Sequence, residues 1–242
     1  MALKPAAVKN WWRYQYRKMF RPQTVTNGGL KIHLGDSSNS SYARSIYRDT
    51  HEAEERAIVL RNLKSDDTVL ECGAGIGVVT TLCCQKIGSE RVHAFEANAK
   101  LEPVLRQTFA LNQVSPHLEM KMVSLEGGEQ YFFAADRFVV SSRYDNSGQY
   151  DGEQQKLDSV SIQTLIDDVQ PSFLIMDIEG SEVDLAAKEL NLRCLKKLCI
   201  EMHPHIVGDE AITRLISNLI HKGFTLRMTE CRNDVLFFSR AA

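Results

Sequence analysis

The residues best suited to chemistry are a group of glycines beside an acid. Gly73, Gly75 and Gly77 follow the apolar run Thr68–Cys72, which contains Glu71. Glycine allows the backbone to turn sharply and to approach a ligand closely. The first N–H groups of a helix that follows such a turn can bind polar ligand groups. The pattern predicts a ligand site between the first strand and the first helix of an α/β region.

The spacing of the glycines distinguishes between cofactors. A dinucleotide fingerprint would place its third glycine at position 78, where Val78 stands. Glu71 would repel a pyrophosphate, but it suits a ligand that carries an ammonium and a sulfonium. A second acid, Glu96, ends the next apolar run and can accept two hydrogen bonds from ribose hydroxyls. The two acids predict S-adenosylmethionine rather than a nicotinamide dinucleotide.

We predict that the cofactor-binding residues come from the ends of the first three strands of this region. The third of these strands is predicted at Leu118–Leu125. The alternative is a glycine turn that serves packing alone, with a solvated acid at the second strand end. The predicted cofactor-binding residues are Glu71, Gly73, Ala74, Gly75, Gly77, Glu96, Ala97, Ser124 and Leu125.

A second group of acids follows the apolar run Phe173–Met176. Asp177 and Glu179 lie two residues apart, which places them on the same side if the strand continues. This strand end should lie beside the glycine loop, close to the methyl group that is transferred. We therefore predict Asp177 as a catalytic or substrate-orienting carboxylate, with Glu179 beside it. The alternative for Asp177 is a structural role, in which it accepts backbone N–H bonds at the turn.

His203 follows the next predicted strand and is our candidate general base near neutral pH. Together with Asp177, Glu201 and His205 it could instead hold a divalent metal. We predict no metal, because methyl transfer to a hydroxyl needs only a base and in-line placement of the reactants.

Strand-like and helical patterns alternate from residue 68 onward, which predicts parallel strands with right-handed crossovers. The last two strands are joined by Glu230–Asp234, too short for a crossover helix, so they must be antiparallel. We predict an α/β protein with the class I methyltransferase Rossmann-like fold. It has a mainly parallel seven-stranded sheet, an antiparallel C-terminal strand and helices on both faces. The predicted strands are 68–72, 91–95, 118–125, 173–176, 197–202, 224–229 and 235–239, with a hairpin at 131–141; the predicted helices are 78–87, 99–111, 162–169, 182–190 and 210–221.

We predict two parts of the chain: an N-terminal segment over residues 1–48 and the methyltransferase domain over 49–242. Residues 1–21 carry six cations, five aromatic residues and no acid, and 22–48 is predicted as loop. A helix in 1–21 would align Trp12, Tyr16 and Phe20 on one face. That face could pack on the domain, lie on a membrane surface, or contact substrate or nucleic acid. Asp49 and Glu52 have the spacing of a capping box, which predicts a helix from about residue 49.

Several of these motifs together resemble the FkbM-type methyltransferase family. The matching blocks span residues 66–205. The resemblance implies a class I fold, S-adenosylmethionine as methyl donor and usually O-methylation, commonly of sugar or natural-product hydroxyls. The matching blocks are Leu70–Gly77, Phe95-Glu96, the stretch Leu165–Glu182 with Asp177-Ile178-Glu179-Gly180, and Ile200–His203.

Composition supports an ordinary globular enzyme. The formal net charge is −2, which gives no sign of a polyanionic partner for the whole molecule. The six cysteines lack zinc-site spacing, and no apolar run is long enough to span a membrane. We therefore expect a cytoplasmic protein. Peripheral contact with a membrane surface through residues 1–21 is an alternative. We predict O-methylation of a glycan or small-metabolite hydroxyl. The alternatives are a nucleic-acid methyltransferase, although the Asn/Asp-Pro-Pro-aromatic motif of amino-adenine enzymes is absent, and a non-catalytic cofactor-binding module.

Overall fold

The computed structural model describes residues 5–35, 41–135, 152–187 and 189–240. The strands are β1 (Thr24–Asn27), β2 (Leu30–His33), β3 (Val69–Cys72), β4 (Val92–Phe95), β5 (His117–Glu119), β6 (Met122–Ser124), β7 (Gly128–Ala135), β8 (Gly152–Ser161), β9 (Phe173–Met176), β10 (Lys197–Glu201), β11 (Thr225–Leu226) and β12 (Val235–Ser239). The α-helices are α1 (Pro5–Phe20), α2 (Ser41–Arg48), α3 (Ala53–Asn62), α4 (Val78–Ile87), α5 (Glu102–Asn112), α6 (Ile162–Val169), α7 (Pro204–Val207) and α8 (Asp209–His221).

A seven-stranded sheet in the order β11-β12-β10-β9-β3-β4-β5 forms the centre of the molecule. Strand β12 is antiparallel to both of its neighbours, whereas the pairs from β10 to β5 are parallel. The predicted class I fold with one reversed C-terminal strand is confirmed. Because β3 lies between β4 and β9, the glycine loop, Glu96 and Asp177 all follow adjacent strand ends.

Both faces of this sheet are buried, and alternate residues of each strand serve opposite faces. Along β9, Phe173 and Ile175 belong to one apolar cluster and Leu174 and Met176 to the other. Helices α3 and α4 cover the first face, and α6 and α8 cover the second. Apolar side chains at every strand position are what a parallel sheet with two covered faces requires.

The segment predicted as a loop over residues 22–48 contains regular structure in its described residues, so that prediction is wrong there. It contains the hairpin β1–β2 and the helix α2. Ile32, Leu34 and Ile46 are fully buried in the same apolar cluster as the central sheet. The capping box is also wrong, because Asp49 ends the α2 turn and pairs with Arg17, while α3 begins after Glu52.

Three other predicted elements differ from the structure. The strand 118–125 is divided into β5, in the central sheet, and β6, in a separate sheet ordered β6-β8-β7. The stretch 131–141, predicted as a hairpin, begins within β7, which pairs with β8, and residues 136–141 of that prediction lie outside the described residues. The predicted helix 182–190 is a short 3-10 segment, Ser181–Ala186, because Glu182 is held by backbone N–H groups of the preceding turn.

Helix α1 packs on α2 with its polar side. The expectation that its aromatic face packs on the domain is wrong: Trp12, Tyr16 and Phe20 are all more than 60% exposed. The buried contacts come from the opposite side, where Arg17 is 7% exposed and Tyr14 packs against the core. No helix in the described part of the chain is long and apolar enough to cross a membrane.

Candidate functional site

A cavity of about 340 Å³ lies at the carboxyl ends of the central strands. This is where an open α/β sheet binds its ligands. Loops after β3, β4 and β9 form one wall, and the turn between α2 and α3 forms the opposite one. The described lining residues are Ser45, Thr50, His51, Glu52, Glu54, Glu55, Gly73, Gly75, Ile76, Glu96, Ala97, Asn98, Leu101, Met122, Val123, Asp177, Ile178, Glu179, Ser181 and Glu201.

The glycine loop brings the ends of β3 and β9 into direct contact. Gly73 has φ of +88°, and a Cβ there would lie 1.7 Å from the backbone oxygen of Asp177. The Asp177 N–H in turn donates to the Cys72 carbonyl at 3.0 Å. Only glycine fits at position 73, so the donor loop and the predicted catalytic turn are locked together.

Glu96 is buried against the backbone of the glycine loop. Its carboxylate accepts hydrogen bonds from Gly75 N–H at 2.8 Å and from Asn98 N–H at 2.7 Å. Burial raises the pKa of Glu96 to about 7, although these backbone donors act against that rise. A ligand that donates hydroxyl hydrogens or carries positive charge would favour the ionised form.

Glu71 is buried and is not among the described residues that line the cavity. Its Oε2 atom has no hydrogen-bond partner, and burial raises the pKa of Glu71 to about 8. A buried acid that keeps one oxygen without a hydrogen-bond partner fits a cationic ligand at the adjacent loop. Together with the Gly73–Gly77 cradle and Glu96, it makes the residues present compatible with S-adenosylmethionine.

The other predicted cofactor residues divide into two groups. Gly73, Gly75 and Ala97 line the cavity, but Ala74 and Gly77 do not. Ser124 and Leu125 do not line it either. The Ser124 hydroxyl contacts that of Ser159 at 2.8 Å, and Leu125 packs into the core. Met122 and Val123 of the same strand line the cavity in their place.

Asp177 lies at the floor of the cavity, with about a third (34%) of its side chain exposed. Its Oδ1 atom is buried and has no hydrogen-bond partner. Burial and the nearby carboxylates of Glu201 and Glu179 raise the pKa of Asp177 well above its ordinary range. A raised pKa makes the ionised carboxylate a stronger base, and an adjacent cationic ligand would favour that ionised form.

His203 is fixed by Glu182 beneath this floor. Glu182 is fully buried and accepts hydrogen bonds from Ile178 N–H and Gly180 N–H, both at 2.8 Å. It also contacts His203 Nδ1 at 3.1 Å. The other ring nitrogen of His203 lies 3.4 Å from Glu179 Oε2 and 3.6 Å from Asp177 Oδ1. Glu182 therefore orients the turn and the imidazole together.

These surroundings give His203 a different role from the predicted general base. Burial of the ring opposes its charge, but the hydrogen bond and charge of Glu182, with Glu179, raise the pKa of His203 to about 9. The ring is therefore protonated near neutral pH and has no lone pair to accept a proton. A charged imidazole at this position orients Asp177 and Glu179 and partly neutralises them.

Glu55 of α3 and Glu52, which precedes that helix, also line the cavity, and the sequence prediction did not include them. Glu55 is 7% exposed; burial and its hydrogen bond and charge interaction with Glu201 raise the pKa of Glu55 to about 9. Their local sequence does not distinguish them from exposed helix acids, because it is the packing of α3 near the strand ends that brings them to the cavity.

A divalent cation would find its ligands among Asp177, Glu182 and His203, whose donor atoms lie within 4.8 Å of one another. Both Glu182 oxygens already accept backbone N–H groups, and one of them also contacts His203. In this arrangement Glu182 is better suited to orienting its neighbours than to coordinating an ion.

Fold and cavity have the features of the class I fold of S-adenosylmethionine-dependent methyltransferases. The strand order, the glycine loop against Asp177 and the acid that ends β4 are its features. The Methyltransferase FkbM domain model matches residues 71–226, and the chain belongs to that family.

Similarity to individual proteins is more distant. Two curated relatives are rRNA adenine N-6-methyltransferases of Bacillus licheniformis and Bacillus anthracis. Each is 29% identical over 114 residues, which is 47% of this chain and 36% of the relative, so the chain spans about a third of their length. A ribosomal protein L11 methylase of Lactobacillus delbrueckii subsp. bulgaricus is 14% identical with a TM-score of 0.46, over 81% of this chain and 80% of that one. TYW2 of M. jannaschii in complex with AdoMet is 15% identical with a TM-score of 0.46, over 90% and 86%.

Proposed function

We propose that the chain transfers a methyl group from S-adenosylmethionine to a hydroxyl of a neutral sugar or small polar metabolite. The observation that carries the proposal is Asp177. Asp177 lines the cavity with about a third (34%) of its side chain exposed, and its backbone is locked to the glycine loop through Gly73. When bound, the donor supplies an electrophilic methyl carbon on a sulfonium.

The residues of the chain have separate tasks in this reaction. Asp177 accepts the proton of the acceptor hydroxyl through its other carboxylate oxygen, Oδ2, because Oδ1 is buried beside His203, and the acceptor oxygen becomes a better nucleophile. His203 holds this carboxylate in position through its Nε2 side and remains charged. Glu55 and Glu201 offer further oxygens that accept hydrogen bonds from neighbouring hydroxyls of a polyol.

The charge of the cavity favours a neutral acceptor over a polyanion. Its described lining includes no Lys or Arg. An ionised carboxylate at this floor would repel a phosphodiester and no cation of the described lining would attract one, whereas carboxyl groups accept hydrogen bonds from hydroxyls in either protonation state. The seven lining acids are Glu52, Glu54, Glu55, Glu96, Asp177, Glu179 and Glu201.

Methylation of a nucleobase amine is the second candidate, favoured by the local match to the rRNA adenine N-6-methyltransferases. The acidic floor can receive an uncharged base that is separated from its phosphates. The two candidates therefore differ in the atom that is methylated and in the need for a polymer.

The test is transfer of label from a methyl-labelled donor to three acceptor pools: neutral glycans and polyols, amines, and RNA. We expect label in the neutral pool, on a product that resists nuclease. Label confined to nuclease-sensitive material would replace the first candidate with the second. Measurable donor binding with no transfer to any pool would instead indicate a binding module.

Addition of a chelator tests whether methyl transfer needs a divalent cation. We expect transfer to survive EDTA, because Asp177 acts as the base without an ion. Loss of transfer that added Mg²⁺ restores would assign an ion to the Asp177, Glu182 and His203 group.

A further inference from the structure

Helix α1 presents an apolar surface that the described part of the chain leaves uncovered. Trp11, Trp12, Tyr16, Met19 and Phe20 are 53–75% exposed. We call these five side chains the aromatic face. Exposed apolar patches of this kind mark sites of interaction.

The aromatic face points outward because the other side of α1 is tied down. Arg17 donates hydrogen bonds to Thr26 O at 2.6 Å and to Tyr47 O at 3.1 Å, and it pairs with Asp49 at 2.7 Å. At about 100° per residue, Met19 lies about 160° around the helix from Arg17. The domain therefore holds the helix by its polar side and displays the aromatic side.

Positive charge surrounds the aromatic face. Residues 1–48 contain nine Lys and Arg and a single acid, Asp36, although the whole chain has a net charge of −2. Arg13, Lys18 and Arg21 of α1 and its end, and Arg44 and Arg48 of α2, are exposed. The remainder of the chain is correspondingly acidic, so the molecule has a positive N-terminal side.

We propose that α1 docks on an anionic membrane surface, with its rings in the headgroup region and its cations against lipid phosphates and carboxylates. Trp and Tyr favour that interface, and basic residues near an anionic leaflet add attraction. A helix with a cationic flank and an aromatic side is the form that lies in the plane of a bilayer.

Two other occupants fit less well. Nucleobases would have to stack on rings that already contact one another, since Trp11 and Trp12 pack edge to face with ring planes at 81° and the centroids of Tyr16 and Phe20 are 4.6 Å apart. A second copy of the chain would bring two cationic patches together in a two-fold contact, where like charges repel. An anionic lipid surface satisfies both the rings and the charges.

The chain supplies its own probe for the test. Trp11 and Trp12 are its only two tryptophans, so intrinsic fluorescence of the full-length protein reports on α1 alone. We expect a blue shift on adding vesicles with about 30% anionic lipid, a smaller one with zwitterionic vesicles, and reversal by high salt. The absence of a shift with anionic vesicles would overturn the proposal.

Matched variants separate docking from folding. Tyr16→Ala with Phe20→Ala keeps both tryptophans and removes two exposed rings, so melting should be unchanged and vesicle partitioning should fall at least about ten-fold. Tyr131→Ala removes an exposed ring on β7, where Tyr131 is 52% exposed, and should leave partitioning within about two-fold. Equal losses in the two variants would contradict a specific role for α1.

Two further outcomes would replace lipid with another partner. A blue shift with single-stranded RNA and none with vesicles would assign the aromatic face to nucleic acid. A shift that depends on protein concentration without lipid would assign it to a second copy.

Discussion

At the scale of single residues, environment gives two neighbouring acids different roles. Glu182 is fully buried with both oxygens occupied by N–H groups, so it acts as a fixed anchor. Asp177 lines the cavity and keeps about a third (34%) of its side chain exposed, so it is available to a ligand. The sequence identifies both positions from their place after a strand, but only the contacts of each carboxylate distinguish anchor from base.

Replacement of Asp177 tests the proposed base. We expect Asp177→Asn to lower turnover by at least about 100-fold, the scale of a positioned acid–base group, and to leave donor affinity within a few-fold. Calorimetry and the labelled-donor assay measure the two effects. Asp168→Asn, at an exposed acid on α6, is the control and should change neither. Full activity of Asp177→Asn would assign Asp177 to the turn alone.

Replacement of His203 tests a positioning role through pH. The charged ring lies 3.6 Å from Asp177 Oδ1 and favours its ionised form, so its loss should raise the pKa of Asp177 further. For His203→Gln we expect about ten-fold lower turnover. The rise of its rate with pH should be displaced to higher pH than the corresponding rise in the wild type. Lower turnover with an unmoved pH profile would indicate that His203 has only a structural role.

At the scale of elements, the central region is predictable because each of its elements carries its own pattern. Phe173–Met176 and Val78–Ile87 begin and end where the sequence predicts. The sequence predictions fail where contacts outside an element determine its structure. Helix α2 follows a serine-rich stretch and looks like loop in isolation, yet Ile46 is fully buried in the shared core. The acids of α3 were missed as cavity residues for the same reason.

Replacement of Gly73 tests the contact between two elements, because this residue joins the ends of β3 and β9. Gly73→Ala places a Cβ against a backbone oxygen that cannot rotate away. We expect a loss of unfolding free energy of at least about 3 kcal/mol, together with loss of donor binding. Gly29→Ala is the matched control, since Gly29 has a similar φ of +92° but nothing within 4 Å. The Gly29→Ala variant should lose only about 1 kcal/mol of unfolding free energy, which is the cost of the positive φ angle. Equal losses in urea titrations would show that the contact with Asp177 is unimportant.

At the scale of the whole molecule, the cavity binds protons that the unfolded chain would release. Glu55, Glu71 and Glu96 have pKa values of about 9, 8 and 7, against an ordinary 4.5. The pKa of His203 is also raised, from 6.5 to about 9. In every case the folded state holds the proton more tightly, so the stability from these groups is lost as pH rises toward the folded pKa.

We therefore expect the melting temperature of the ligand-free protein to fall between about pH 5 and about pH 9. Scanning calorimetry across that range measures it, and a rise would contradict the raised pKa values. Binding of the cationic donor favours the ionised carboxylates and should release protons. Titration calorimetry in buffers of different ionisation enthalpy detects that release.

The ion pair between Arg17 and Asp49 has a consequence beyond holding α1 in place. Asp49 lies in the turn that continues into His51 and Glu52, which face the cavity. If occupancy of the cavity alters this turn, it alters how firmly α1 is presented, and linkage makes the effect reciprocal. If the membrane strengthens donor binding by some factor, the donor-loaded protein binds the membrane more tightly than the empty protein by the same factor. We expect S-adenosylhomocysteine to change vesicle partitioning of the wild type, and Arg17→Met to abolish that dependence while the empty protein still partitions.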